Sequence, residues 1–229
     1  MDDATPMDGC PRDRLPAGGW DLDALAARLV SPRRVARFEA VASRRLACLT
    51  VAFDRIGDPH NVSASLRSAE IFGVPVVYVL GDVPHADTET VSMYAGRWVE
   101  ARAFASASSL VEALRGAGFS LLGTVVPAQG GKPFDEVPLP AKTALVMGNE
   151  HDGLSAELRA ACDGLITIPT AGFTESLNLS VATAILLQHF QSRYVRAGGD
   201  IFLAEPERRA LVRRWMEREV ARALRLNRR

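Results

Sequence analysis

Three short stretches concentrate the side chains with which this chain could do chemistry. They are Asp58-Pro-His-Asn-Val-Ser-Ala-Ser-Leu-Arg67, Met147-Gly-Asn-Glu-His-Asp-Gly-Leu-Ser155 and Thr170-Ala-Gly-Phe-Thr-Glu-Ser-Leu-Asn-Leu-Ser-Val-Ala-Thr183. Each follows an apolar run and leads into a helical pattern, so each reads as a polar loop between a strand and a helix. Ligands in open α/β sheets bind where such loops leave the carboxyl ends of strands. Three loops rich in Asn, Ser, Glu and Arg therefore imply one shared pocket. His60 and His151 have no partners at metal-ligand spacing, and Cys10, Cys48 and Cys162 form no CxxC pair, so no metal is expected. The cysteines read as free thiols, Cys48 and Cys162 as small core residues.

The elements that must position these loops follow from periodicity. Residues 1–19 are rich in Asp, Pro and Gly and are expected to be disordered. Residues 20–45 read as an N-terminal helical extension, with Asp21 capping one helix and Ser31-Pro32 opening another. From Leu46 strand and helix signals alternate, the mark of a mostly parallel sheet with helices on both faces. Strands are expected at Leu46–Phe53, Val74–Leu80, Phe119–Val126, Thr143–Met147 and Leu165–Ile168. Helices are expected at Val62–Phe72, Ser108–Arg115, Ser155–Cys162 and Asn178 to about Tyr194. After Gly198-Gly199, residues 200–229 form a C-terminal helical extension whose helix begins near Pro206, with an apolar stripe that includes Val212, Trp215, Met216 and Val220. The alternating elements make up one domain, 46–195.

The formal charge of zero hides a segregation. Residues 28–45 hold six Arg and one Glu, residues 193–229 hold eleven Arg and five acids, and residues 46–192 hold eight basic and fifteen acidic residues. Two Arg-rich flanks around an acidic core suit a polyanion, and Arg33, Arg34, Arg37, Arg44, Arg45, Arg208, Arg209, Arg213 and Arg214 are the candidate phosphate contacts. Solvated helix faces are the alternative. No apolar run reaches the roughly 18 to 20 residues of a membrane span, and the acidic start lacks the apolar core of a secretory signal. A soluble, cytoplasmic protein is expected.

Asn61-Val-Ser-Ala-Ser-Leu-Arg-Ser-Ala-Glu-Ile-Phe-Gly-Val74, Leu145-Val-Met-Gly-Asn-Glu-His-Asp-Gly-Leu-Ser155 and Ile168-Pro-Thr-Ala-Gly-Phe-Thr-Glu-Ser-Leu-Asn-Leu-Ser-Val-Ala182 resemble, in order and spacing, the three motifs of the SpoU family of RNA ribose 2'-O-methyltransferases. The resemblance covers about residues 46–195. It implies a SPOUT fold with a deep C-terminal trefoil knot, a homodimer, S-adenosylmethionine as cofactor and tRNA or rRNA as substrate. The knot comes from the resemblance alone, since topology rules would exclude it. The resemblance assigns cofactor binding to Thr124, Val125, Met147, Gly148, Asn149, Glu150, Ile168, Pro169, Ser176, Leu177 and Asn178. It assigns catalysis to Arg67, Asn61, Glu150, Ser176 and Asn178.

The short helical extensions leave no room before the first core strand for the separate RNA-binding domain of many relatives. Together with Gly96-Arg-Trp-Val99 they are similar to the TrmH-type enzymes, which methylate guanosine 18 in the tRNA D-loop. Glu175 stands where that subgroup often has Gln. Ribosomal RNA methylation and a non-catalytic RNA-binding factor are the alternatives; no GxGxxG fingerprint supports a dinucleotide-binding oxidoreductase.

Purely structural readings stand beside these roles. Arg67 is spaced to pair with Glu70 on one helix face, and Asn61 to cap a helix beginning at Val62. Glu150 suits compensation of a helix dipole, and Ser176 and Asn178 suit caps of the last core helix. A guanidinium holds its proton too tightly to make a good general base; stabilising a developing alkoxide is the other possible role of Arg67.

Overall fold

The computed structural model describes residues 5–7, 21–81 and 97–226. Cys10, Trp20 and Gly96 lie outside these, as does the expected disorder of residues 1–19 apart from Thr5–Met7. The described chain forms two compact units, one of residues 1–7 with 48–201 and one of residues 8–47 with 202–229.

In the larger unit an eight-stranded sheet is built from β1 (Thr5–Met7), β2 (Leu49–Asp54), β3 (Val76–Leu80), β4 (Glu100–Phe104), β5 (Ser120–Thr124), β6 (Lys132–Pro133), β7 (Thr143–Met147) and β8 (Gly164–Thr167). Its order is β1-β4-β3-β2-β7-β5-β8-β6. Every pairing is parallel except that of β1, which lies antiparallel on β4 with Pro6 opposite Arg102. The expected strands are present, β7 with the bounds expected and the others with ends shifted by one to three residues. β4 and β6 are additional, and β1 falls within the stretch expected to lack structure.

The central strands β2 and β7 are buried throughout, as strands covered on both faces must be. With a period of two, Ala52, Ala144 and Val146 face one side. There they meet Leu110 and Leu114 of α4 (Ala107–Gly116) and Leu158 of α5 (Ala156–Ala161). Met147 and Thr143 face the other side, where α6 (Leu179–Ala197) packs on β2 and β7 and α3 (Pro59–Ile71) packs on α6. The hydroxyls of Tyr194 on α6 and Thr143 lie 2.8 Å apart, and Tyr194 also donates to the Pro140 carbonyl at 2.9 Å. On the opposite side Arg115 grips Asp163 through both guanidinium nitrogens at 2.6 and 2.7 Å, holding its carboxyl below the usual range.

α3 starts earlier than expected. Asp58 is its N-cap, accepting from the His60 N–H at 2.9 Å, with Pro59 at the first helical position, a pairing of cap and proline that favours initiation. Asn61 therefore sits inside the first turn, and its side chain is not a cap.

In the smaller unit α1 (Leu22–Leu29) and α2 (Pro32–Ala42) pack on α7 (Glu205–Leu226). Asp21 and Ser31 cap as expected. Leu22, Ala26 and Val30 bury the α7 stripe through Val220, with Met216 and Leu224 beside it. Phe38 meets Trp215 at 5.9 Å between ring centroids. Arg45 corrects an expectation. It is 1% exposed, its guanidinium lies 5.4 Å from the Trp215 ring centroid, and its carbonyl accepts from Leu203. Such a residue is held by packing and a cation–π contact and cannot meet a phosphate. Arg34 is half-buried against Phe38 and paired to Glu219 at 3.3 Å, and Arg208 pairs with Glu205. Arg33, Arg37, Arg44, Arg209 and Arg213 remain exposed.

Candidate active site

A cavity of about 860 Å³ lies at the carboxyl ends of β5, β7 and β8, on the α6 side of the sheet. That size is ample for a nucleoside-sized ligand. All the residues assigned to cofactor binding line it except Pro169, and Asn61 lines it as well.

Three loops meet there through one carboxamide. Asn61, buried in the first turn of α3, donates through Nδ2 to Glu150 Oε1 at 3.0 Å and accepts through Oδ1 from Asn178 Nδ2 at 2.9 Å. Asn178 is at once the N-cap of α6, its own Oδ1 accepting from the Ser180 and Val181 N–H groups at 2.9 and 3.4 Å. The cap reading and the site reading of Asn178 thus hold together. Ser176 lines the cavity but caps nothing. Glu150 lies five residues before Ser155, the N-cap of α5, so helix-dipole compensation does not account for it.

The loop that carries Glu150 is clamped on both sides. Asn149 and Gly153 exchange backbone hydrogen bonds at 2.8 and 3.0 Å, folding the loop back so tightly that a Cβ on Gly148 would meet Gly153 at 2.4 Å. Asn149 Nδ2 donates to the Arg55 carbonyl at 2.7 Å. Arg55 turns left-handed, at φ 50°, to present that carbonyl, a conformation uncommon outside glycine. Asp54, buried at the end of β2, accepts from the Ser155 N–H at 2.6 Å. Asp54, Arg55, Gly57 and Asp58 were missed as site residues; the Asp58-Pro59 cap pair was the signal that could have found the last of them.

Partial burial alone would raise the Glu150 pKa. The Asn61 amide and the N–H groups of Glu150 itself, Gly57 and Asp58 outweigh this and hold it below the usual carboxylate value. Glu150 is therefore an ionised acceptor that orients Asn61 and a weak proton acceptor. Among the described residues, Asp58, Glu150, Asp152 and Glu175 put four carboxylates in the cavity wall, with no Lys or Arg beside them. Such a wall favours a cation and repels phosphate, so the residues present fit the sulfonium of S-adenosylmethionine.

Arg67 stands apart. It is exposed on α3, lies outside the cavity wall and has no hydrogen-bond or ion-pair partner among the described residues, so the pairing with Glu70 is not made. Among the described residues no group of three or more His, Cys, Asp or Glu side chains could hold a metal, and no helix is long and apolar enough to cross a membrane.

A lowered folded-state pKa stabilises above the ordinary glutamate value, and that stability is lost as the pH falls through the folded value. Glu150→Gln should lower stability at neutral pH by about 1 kcal/mol at most, because the group is solvent-exposed. Its deficit against the parent should shrink as the pH drops through the carboxylate range. Denaturant midpoints measured across pH check this; a deficit independent of pH would contradict it.

The SpoU rRNA methylase family model matches residues 48–188. The tRNA (guanosine(18)-2'-O)-methyltransferase of Escherichia coli K12 is 33% identical over 172 residues, 74% of this chain and 74% of that one. The solved TrmH/SpoU tRNA modifying enzyme of A. aeolicus superposes with a TM-score of 0.70 at 28% identity, covering 80% of this chain and 95% of that one. The SpoU methyltransferase AviRb of Streptomyces viridochromogenes, solved in complex with the cofactor AdoMet, superposes at 0.57 with 31% identity over 68% of this chain and 63% of that one. The three loops joined through Asn61 fall within the matched residues, and the chain belongs to the SpoU family of S-adenosylmethionine-dependent RNA methyltransferases.

Proposed function

We propose that this enzyme methylates the ribose 2'-hydroxyl of guanosine 18 in tRNA, in the cytoplasm, as a homodimer. The observation that carries the reading is the Glu150–Asn61–Asn178 hydrogen-bond chain across an acidic cavity, together with the similarity to the E. coli tRNA enzyme. The family's trefoil knot belongs to the same reading.

When bound, S-adenosylmethionine supplies a methyl group on a positively charged sulfur, open to in-line attack by a hydroxyl oxygen. The residues of this chain hold and orient. Asn61 and Asn178 fix the loops that carry the wall, and Glu150 with its neighbouring carboxylates favours the positive charge. Glu150 is too weak a base to take the hydroxyl proton. An arginine beside the reacting oxygen would stabilise the developing alkoxide instead, and Arg67 has the free guanidinium for it.

Arg67 reaches a cavity if two copies associate through the α3–α6 layer. Ile71, one turn after Arg67 on the same helix face, is exposed, as are Val181 and Val195 on α6. Covering that apolar surface with a second copy would carry one chain's Arg67 toward the other's Asn61. Arg67→Ala and Asn178→Ala homodimers should each fail to methylate tRNA, and Arg67→Ala should change stability by less than about 0.5 kcal/mol. Mixing the two variants should restore activity, because each heterodimer holds one intact site. A monomer in sedimentation, or no recovery on mixing, would contradict the arrangement.

The exposed arginines of the smaller unit are proposed to hold the RNA backbone. Reversing Arg33, Arg37 and Arg213 to Glu should raise the KM for tRNA and flatten its salt dependence, the log-log slope falling by roughly 0.7 to 0.9 for each phosphate that is no longer neutralised, with cofactor affinity unchanged. Filter binding across salt concentrations reads this. Equal slopes would leave these arginines as solvated faces. Methylation of a ribosomal RNA fragment in preference to tRNA would favour the rRNA reading, in line with the family's description.

A further inference from the structure

The segment from Pro169 to Asn178 is an arm in which every residue is exposed. Its ends are held. The Phe134 N–H donates to the Thr167 carbonyl at 3.0 Å before it, and Asn178 is fixed by Asn61 and by its cap after it. Between these anchors no residue from Ile168 to Leu177 forms a hydrogen bond among the described residues. Thr170 and Glu175 line the cavity, so the arm's tip stands at the rim. There Phe173 is 108% exposed, its whole ring open to solvent. A single exposed apolar residue is ordinary; an exposed aromatic ring two residues from an unpartnered carboxylate, at the mouth of an RNA-modifying cavity, has a more specific use.

We infer that Phe173 and Glu175 read the base of the nucleotide whose ribose is methylated, and that they select guanine. Sequence-specific readers of RNA take unstacked bases onto aromatic side chains and bond their Watson–Crick edges. Phe173 supplies the flat apolar surface. Glu175 supplies two acceptor oxygens and no donor. Among the four bases only guanine presents two adjacent donors on that edge, the N1–H and the N2 amino group, which a carboxylate accepts together. Adenine and cytosine each place an acceptor beside their donor, and uracil flanks its single donor with two. A carboxylate also repels phosphate, so its place beside RNA is favourable only where it meets donors of this kind. The inference rests on the methyl-transfer reading and adds the residues that choose the base.

The test uses the full chain with tRNA transcripts carrying guanosine or inosine at position 18, inosine lacking only the N2 amino group. The parent should favour guanosine over inosine by about tenfold in kcat/KM, the size of one charge-assisted hydrogen bond. Glu175→Ala should abolish that preference, and Phe173→Ala should raise the KM for both transcripts about tenfold, the size of one base–aromatic stack. Phe173→Ala should leave S-adenosylmethionine affinity in calorimetry unchanged, and neither variant should change the sedimentation coefficient. Retention of the guanosine preference by Glu175→Ala overturns the inference, as does loss of cofactor affinity in Phe173→Ala. Dissociation of the dimer by Phe173→Ala also overturns it and makes the ring an intersubunit contact. A parent that methylates tRNA, with variants that leave discrimination intact, sinks this inference alone. A parent that transfers no methyl group to any RNA sinks it together with the reading on which it rests.

Discussion

Asn61 can bond through both ends of its carboxamide only because the helix that carries it starts three residues earlier, at Asp58-Pro59. Had Asn61 been the cap, its oxygen would have been spent on the backbone. Inside the first turn it donates to Glu150 and accepts from Asn178 instead. These partners lie 89 and 117 residues away in sequence, so one side chain fixes the relative positions of all three polar loops. A half-satisfied buried amide costs about 1 to 3 kcal/mol. The rest of the site is arranged to prevent that: the left-handed turn at Arg55, the fold-back at Gly148–Gly153 and the buried acceptor at Asp54 all hold Glu150 where Asn61 needs it.

Charge is shared unevenly between the two units. Among the described residues the cavity wall is acidic and holds no Lys or Arg, which suits a sulfonium and disfavours phosphate. Arg33, Arg37, Arg44, Arg209 and Arg213 are exposed on the smaller unit, where Phe38, Trp215 and the buried guanidinium of Arg45 make the core that presents them. These arginines and the acidic cavity wall therefore lie in different parts of the sequence and can be altered separately.

Much of this was legible in the residues. The Thr143–Met147 strand, the caps at Asp21 and Ser31, and the start of α6 at Asn178 follow from local chemistry and stand as read. What was not legible depends on partners distant in sequence. Glu100–Phe104 hides as a strand because Glu100 and Arg102 break the apolar pattern; their 2.7 Å ion pair and the stacking of Arg102 on Tyr78 make those charges tolerable. Arg45 reads as surface charge beside Arg44, yet it is buried against a tryptophan 170 residues later. The family motifs mark Arg67, Asn61 and Glu150 alike, and only the geometry separates the two that meet from the one that does not.

The Asn61 amide couples the loops of the site. A double-mutant cycle on S-adenosylmethionine affinity, with Asn61→Ala, Glu150→Ala and the pair measured by calorimetry, tests it most directly. The account predicts that the double variant loses markedly less than the sum of the two single losses, a coupling of at least about 0.5 kcal/mol. Losses that simply add would contradict it, and would mean that Asn61 and Glu150 act on the cofactor independently.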